Sequence, residues 1–295
     1  MGFAQHQSFH IRDGWLRKGL IEAQNNPFIF TDPDAYLKFG LGKNMVEALR
    51  FWMVATGLTI EENTPSRKRH QILTQFGNLV IETDPYLEDD GTLWLIHYHL
   101  LKNKNAATAW YWFFNHFGRL IFDRDLFVKE LSIWNALQET KEIATSSIEK
   151  DFDCLVRTYL PRERNTSPED ILECPLVHLK LLSVENENGR RRYNINRPEP
   201  TTIPPLVLLY VIKRWQEESQ ERAIQVSLRD MLAGVNSPGR TFLLGMRLNE
   251  AIRRAVDLTN LGFTITRTAG LDTLSIPNIS SEEMLLTYYH NFATI

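Results

Sequence analysis

The segment Gly40-Leu41-Gly42-Lys43-Asn44-Met45-Val46-Glu47-Ala48-Leu49-Arg50-Phe51-Trp52-Met53 constrains the chain most strongly, because a tight glycine turn feeds straight into a helix whose first turn carries Lys43 and Asn44. Val46, Leu49 and Met53 recur at helical spacing and define a packing face. Lys43, Glu47 and Arg50 form a polar stripe about a third of a turn away. A helix-turn-helix presents its recognition helix in this way. Free N–H groups and the positive dipole end of such a helix favour a phosphate beside Lys43 and Asn44, whereas Glu47 would repel one. The same pattern also fits an ordinary amphipathic helix whose glycines only make the turn.

A chain of 295 residues with 43% hydrophobic content buries a sizeable core, enough for two or three modules. Its net charge of −3 argues against indiscriminate coating of nucleic acid, so any DNA contact must come from local patches. Cys154 and Cys174 have no metal-ligand spacing and do not suggest a secreted disulfide scaffold, which leads to the expectation of a reducing cytoplasm. Neither a basic-then-apolar N-terminus nor a run of about eighteen apolar residues occurs, so no membrane span is expected.

The expected fold class is mainly α with small β-wings, an α+β chain of tandem winged-helix or helix-turn-helix modules. Residues 1–143 read as an N-terminal helical, winged-helix-like domain. The basic loop Thr64-Pro65-Ser66-Arg67-Lys68-Arg69-His70 resembles a wing beside the recognition helix, and Thr74 is placed to cap the next helix. Asp84-Pro85-Tyr86-Leu87-Glu88-Asp89-Asp90 makes an acidic turn before an apolar helix holding His97 and His99. Trp110-Tyr111-Trp112-Phe113-Phe114 reads as core, since clustered large aromatics are mostly buried.

Residues 144–203 read as a helical connecting region. Ser146-x-x-Glu149 has the form of a capping box, and Ile148, Phe152, Leu155 and Tyr159 continue at helical spacing up to Pro161. Residues 162–168 and 185–192 read as solvated polar connections, the second ending in Arg190, Arg191 and Arg192. Arg197-Pro198-Glu199-Pro200-Thr201-Thr202-Ile203-Pro204-Pro205 is the densest proline segment and the best candidate boundary.

Residues 204–295 read as a C-terminal winged-helix-like domain. A helix over 206–221, a short one capped by Ser227, the loop 236–240 and a longer helix through Leu244, Leu248, Ile252 and Ala255 lead to Gly262. Phe263 and Ile265 then alternate with threonines before the turn Ala269-Gly270-Leu271-Asp272, the pattern of a two-stranded wing. Arg240, Arg247, Arg253, Arg254 and Arg267 surround this unit. With Lys43, Asn44, Arg50, Arg67, Lys68 and Arg69 they are the candidate contacts to double-stranded DNA, although a solvated helix face accounts for the arginines equally well.

No P-loop, dinucleotide fingerprint, nucleophile elbow or H-E-x-x-H occurs, so no nucleotide cofactor is expected. The acidic cluster Asp84, Glu88, Asp89 and Asp90 is the candidate catalytic group, with Glu88, Asp89 and Asp90 as candidate ligands for Mg2+ or Mn2+. Helix capping by Asp89 or Asp90 is the simpler use of the same residues, and His97 and His99, two apart, cannot share one helical face. His6, Arg12, Trp15 and Lys18 form a second polar and aromatic group of undetermined role.

Phe3-Ala4-Gln5-His6-Gln7-Ser8-Phe9-x-x-Arg12-x-Gly14-Trp15-Leu16-x-Lys18-Gly19, Leu41-Gly42-Lys43-Asn44-Met45-Val46, Asp84-Pro85-Tyr86-Leu87-Glu88-Asp89-x-Gly91-Thr92-Leu93-Trp94, Ala107-Thr108-Ala109-Trp110-Tyr111-Trp112-Phe113-Phe114 and Glu169-Asp170-x-x-Glu173-Cys174-Pro175-Leu176 recur together. As a set they resemble a bacterial family of formerly unknown function found near DNA phosphorothioation enzymes, and the resemblance spans nearly the whole chain. It implies a DNA-nicking component of a defence system, acting beside a cysteine desulfurase, an ATPase and a sulfurtransferase. Family members often carry glycine before the first histidine and glutamate after it, where this chain has Gln5 and Gln7. If the family's acid binds metal, nicking here depends on the cluster from Asp84 to Asp90 or does not occur.

The leading expectation is therefore a cytoplasmic DNA-binding component of a phosphorothioation-based modification or antiphage defence system, with metal-dependent nicking of one strand as its chemistry. The alternatives are a non-enzymatic adaptor for the sulfur-transfer machinery and a winged-helix regulator of the defence operon.

Overall fold

A computed structural model describes residues 1–65, 68–138, 142–161, 173–219, 221–268 and 271–292. Three short helices open the chain: α1 (Trp15–Asn25), α2 (Ala35–Phe39) and α3 (Lys43–Ala55). The glycine turn works as the sequence implies. Gly40, at φ 60°, ends α2 in the left-handed region that glycine enters without penalty, and Gly42 is the N-cap of α3. Val46, Leu49, Trp52 and Met53 of α3 are buried, while Lys43, Asn44 and Glu47 are exposed.

Strands β1 (Thr59–Asn63) and β2 (Arg69–Leu73) then form an antiparallel hairpin around the basic loop. Arg69 and His70 of the expected loop belong to β2, and the Thr64 amide donates to the Lys68 carbonyl beside them. Helices α4 (Gln75–Thr83), α5 (Asp90–Lys102) and α6 (Thr108–Asn115) follow. Thr74 and Asp89 cap α4 and α5, accepting from the Gly77 and Thr92 amides. Every residue of α6 is buried, so the aromatic run is core.

The next stretch holds β3 (Ile121–Phe122), α7 (Arg124–Leu137), α8 (Thr145–Tyr159), β4 (Leu182–Glu187) and β5 (Arg190–Ile195). These strands form a sheet of order β3-β5-β4. The β3–β5 pairing and the packing of α7 on α8 span the expected division at 143/144. The polar stretch 185–192 is a correction to the sequence reading: it is a tight hairpin. Asn188 (φ 52°) and Gly189 (φ 79°) make its two-residue turn, and Glu187 pairs with Arg190. The Ser146–Glu149 capping box is not formed either, since α8 starts at Thr145 with Ala144 as N-cap and no side-chain cap.

The last stretch comprises α9 (Pro205–Glu218), β6 (Gln225–Ser227), α10 (Asp230–Ala233), α11 (Pro238–Phe242), α12 (Leu248–Leu258), β7 (Thr264–Thr268), β8 (Leu271–Ser275) and α13 (Ser281–Phe292), with sheet order β6-β8-β7. The expected loop 236–240 contains the start of α11, which Ser237 caps by accepting from the Arg240 amide. The fold is α+β, with helices around three small antiparallel sheets. Among the described residues, no helix is long and apolar enough to cross a membrane.

Trp52, Trp94 and Trp110 are fully buried. Each removes roughly 200 Å² from water, on the order of 5 kcal/mol of transfer free energy before ordering costs. Buried polar groups fix how the helices meet. His97 on α5 bonds the Tyr159 hydroxyl of α8 through Nδ1 at 2.8 Å and the Thr241 carbonyl of α11 through Nε2 at 3.1 Å. A carbonyl only accepts, so Nε2 carries the proton and Nδ1 accepts from Tyr159. Burial pushes His97 down to about 3. The neighbouring His99 is also held near 3 by burial, stacked on Phe76 with ring centres 5.1 Å apart.

Candidate functional site

The acidic turn divides into a closed pair and an open pair. Asp84 is buried, and its two carboxylate oxygens accept from the backbone amides of Glu88 (2.9 Å) and Asp89 (3.2 Å). Burial raises its pKa despite these bonds. Asp89 Oδ2 accepts from the Thr92 amide (2.9 Å) and from the Tyr288 hydroxyl of α13 (2.7 Å). Gly91 makes that docking fit, because a Cβ there would stand 2.0 Å from the Tyr288 hydroxyl. Both oxygens of Asp84 and the Oδ2 of Asp89 are thus spent on shaping the turn.

Glu88 and Asp90 point the other way, both exposed, into a cleft of about 680 Å³. Asp13, Tyr86, Glu173 and His178 line the same cleft. The Asp13 amide donates to the Glu173 carbonyl at 2.9 Å, which joins the N-terminal segment to the stretch after α8. Arg17 lies over the Tyr86 ring, 4.6 Å from its centre, at one wall. Asp13, Glu173 and His178 are far from the acidic turn in sequence, and only Glu173 stands in a motif that carries the family resemblance. Cys174 also lines the cleft, but its thiol is buried and raised to about 12. Cys154 is likewise pushed up by burial, so neither thiol is an available nucleophile.

Among the described residues no three His, Cys, Asp or Glu side chains close around a metal-sized space. The cleft is therefore not a preformed cage. Mg2+ commonly keeps several waters and is held by one or two carboxylates with substrate phosphates, and the exposed carboxylates on the acidic-turn wall of the cleft are Glu88 and Asp90.

The candidate DNA contacts separate in the same manner. Lys43 and Asn44 are exposed at the start of α3, with the Lys43 ammonium 5.3 Å from the centre of the Tyr36 ring. Lys68 and Arg69 are exposed on the first hairpin, with the Arg69 guanidinium 4.0 Å from the Glu61 carboxylate, and Arg67 lies outside the described residues. Arg50 makes a bidentate pair with Glu61 at 2.6 and 2.7 Å. In the C-terminal unit Arg253 and Arg267 share Asp272 (3.0 and 3.8 Å), and Arg247 meets Glu199 at 2.6 Å. Arg254 donates to the Ile203 carbonyl (3.3 Å) and Arg240 to that of Ala233 (3.4 Å). Arg247, Arg253 and Arg254 thus tie α12 to the hairpin and the proline segment, and Arg240 ties α11 to the end of α10.

The N-terminal motif is an anchor. His6 is buried against Trp52 and Trp110, and its Nδ1 accepts from the Ser8 amide. Its Nε2 therefore donates to Asp151 Oδ1, 2.7 Å away on α8. Asp151, raised by burial, also accepts from the Ala4 amide. Arg12 lies against the rings of Phe9 and Trp15, at 5.8 and 5.6 Å, and Lys18 donates to the Phe39 carbonyl at 3.3 Å. Gln7 donates to Glu47 at 3.1 Å, an arrangement that a glutamate at position 7 would replace by repulsion.

Comparison with known proteins agrees with the whole-chain resemblance. The chain belongs to the family described as protein of unknown function DUF4007, whose pattern matches residues 3–289. Two crystal structures of SspB, one of them bound to magnesium ion, superpose with a TM-score of 0.86 at 26% identity, covering 100% of this chain and 89% of theirs. Comparison with curated proteins gives no match.

Proposed function

We propose that this SspB-like protein is the DNA-binding component of a bacterial phosphorothioation system and that it nicks one strand with the help of Mg2+ or Mn2+. The observation that carries this reading is the full-length likeness to SspB, a protein solved with magnesium, combined with an open acidic cleft. Glu88 and Asp90 are the side chains that would hold the metal from the protein side. Bound there, the ion supplies Lewis-acid polarisation of a phosphodiester and a lowered pKa for its water. Asp13 and Glu173 add negative potential that favours a divalent cation, while Asp84 and Asp89 hold the turn in shape.

The stretches 15–73 and 205–275 each present helices followed by an antiparallel hairpin, and we read both as winged-helix-like modules facing duplex DNA. Lys43, Asn44, Lys68 and Arg69 are the exposed phosphate contacts of the first. Purified protein incubated with supercoiled plasmid should convert it to open circles with Mg2+ or Mn2+ and not with EDTA. Plasmid that is retarded but never relaxed, at every metal concentration, would leave a DNA-binding protein without the nick. The paired state of the C-terminal arginines and the net charge of −3 favour one second reading, a non-enzymatic adaptor whose surfaces meet the sulfur-transfer proteins. Affinity for duplex that stays flat as salt rises would support that adaptor over the nickase.

A further inference from the structure

The middle stretch repeats the C-terminal one. In residues 205–275, α9 leads to strand β6, α10 and α11 intervene, α12 runs into the β7–β8 hairpin, and the return strand β8 takes the centre of the sheet. In residues 108–195, α6 leads to β3, α7 intervenes, α8 precedes the β4–β5 hairpin, and the return strand β5 takes the centre. The position of the return strand is the same, and the order of elements differs only in that α10 and α11 stand where the middle stretch has α7 alone. A second departure is the connection from α8 to β4, which runs over residues 160–181 where α12 to β7 needs only 259–263.

The two hairpins use charge differently. The C-terminal one carries Arg267 opposite Asp272, which also holds Arg253. The middle one ends in the Asn188-Gly189 turn followed at once by Arg190, Arg191 and Arg192, all exposed. Over residues 180–197 there are five basic side chains against two acidic ones, Glu185 and Glu187. Arg192 stands 2.9 Å from Glu187, and both side chains are more than half exposed. Such surface pairs contribute only about 0–1 kcal/mol and exchange readily for a stronger anion.

We propose that the β4–β5 hairpin is a third nucleic-acid-contacting ribbon, whose Arg190, Arg191 and Arg192 grip the phosphate backbone of duplex DNA. This rests on the DNA-binding reading above and adds a contact surface to it. Side chains alternate across a strand, so Arg190 and Arg192 project from one face of the ribbon and Arg191 from the other. The register agrees: Arg191 shares its face with Tyr193, while Arg190 and Arg192 face Glu187 and Glu185 across the ladder. Cations on both faces of a narrow ribbon suit insertion between two phosphate walls, and the major groove admits a two-stranded ribbon. Docking on a flat protein surface would use one face only.

The test is fluorescence anisotropy of a labelled duplex against the full chain from about 50 to 300 mM salt, for wild type, R190Q/R191Q/R192Q and R190K/R191K/R192K. Each lost phosphate contact removes about 0.9 from the slope of log K against log salt, so the glutamine variant should lose about two to three slope units and at least tenfold in affinity near 100 mM salt. The lysine variant should keep the slope. Should the triple glutamine variant misfold by circular dichroism, R190Q alone should lower the slope by about one unit. Wild-type binding with an unchanged slope in the glutamine variants overturns the hairpin proposal and leaves the DNA-binding reading standing. Absence of wild-type binding overturns both.

Discussion

The C-terminal arginines and the carboxylates of the cleft are equal candidates by residue type, and the fold treats them in opposite ways. Arg247, Arg253 and Arg254 are engaged by Glu199, Asp272 and the Ile203 carbonyl. Glu88 and Asp90 face open space. Within the acidic turn the same division recurs over a few residues, since both oxygens of Asp84 and the Oδ2 of Asp89 are engaged by amides and a tyrosine hydroxyl. Tertiary partners, and not charge density along the chain, decide which groups are left for a ligand. Removing an engaged group should cost stability, and removing an open one should cost binding or chemistry alone.

The largest effect on the engaged side belongs to the buried histidines. His97 and His99 are depressed from 6.5 to about 3, so the unfolded chain binds more protons throughout that window. Their contribution is complete above pH 6.5 and is lost as pH falls towards 3. At pH 5 the loss should reach roughly 2 kcal/mol for each histidine, read as a fall in urea midpoint from pH 7 to pH 5. A flat midpoint across that range would break the division.

Asp84→Ala comes next. It strands two amides of the turn, at a cost on the order of 3 kcal/mol measurable by urea unfolding. Arg254→Ala should cost about 1 kcal/mol, the worth of one hydrogen bond, and leave the salt dependence of DNA affinity unchanged. A fall in salt slope with no change in stability would move Arg254 from the engaged to the open group. Smallest of all, E88Q/D90N should shift unfolding by no more than about 0.5 kcal/mol, as exposed substitutions usually do.

Much of the fold was legible in local chemistry. The glycine turn into α3, the caps at Thr74 and Asp89, the buried aromatic run of α6 and the C-terminal hairpin each follow from short-range rules that the fold respects. The middle hairpin was missed although Asn188-Gly189 is a strong turn signal, because the flanking Glu-Asn-Glu and Arg-Arg-Arg stretches hide the alternation that only Leu182, Val184, Tyr193 and Ile195 carry. Helix α13 was missed as well. Its signal is Ser280 and Glu283, which bond each other's amides as a capping box ahead of Met284, Leu285, Tyr288 and Tyr289 at helical spacing.

The candidate site was half legible. Glu88 and Asp90 stand out as acids in a turn; Asp84 is set apart by the nearby Glu88 and Asp89 amides, but the engagement of Asp89 also depends on Tyr288, about two hundred residues away. Asp13, Glu173 and His178 reach the cleft through tertiary packing, as the turn Pro175–Leu179 rests on α5 and the Asp13 amide bonds the Glu173 carbonyl.

The most direct measurement is the rate of open-circle formation from supercoiled plasmid in Mg2+ by wild type and by E88Q/D90N, with thermal melts run on both proteins. Metal-dependent nicking by wild type, abolished in a variant with an unchanged melt, is the expected result. Equal nicking by the two proteins would contradict the assignment of the metal to this cleft, and no nicking by either would contradict the chemistry itself.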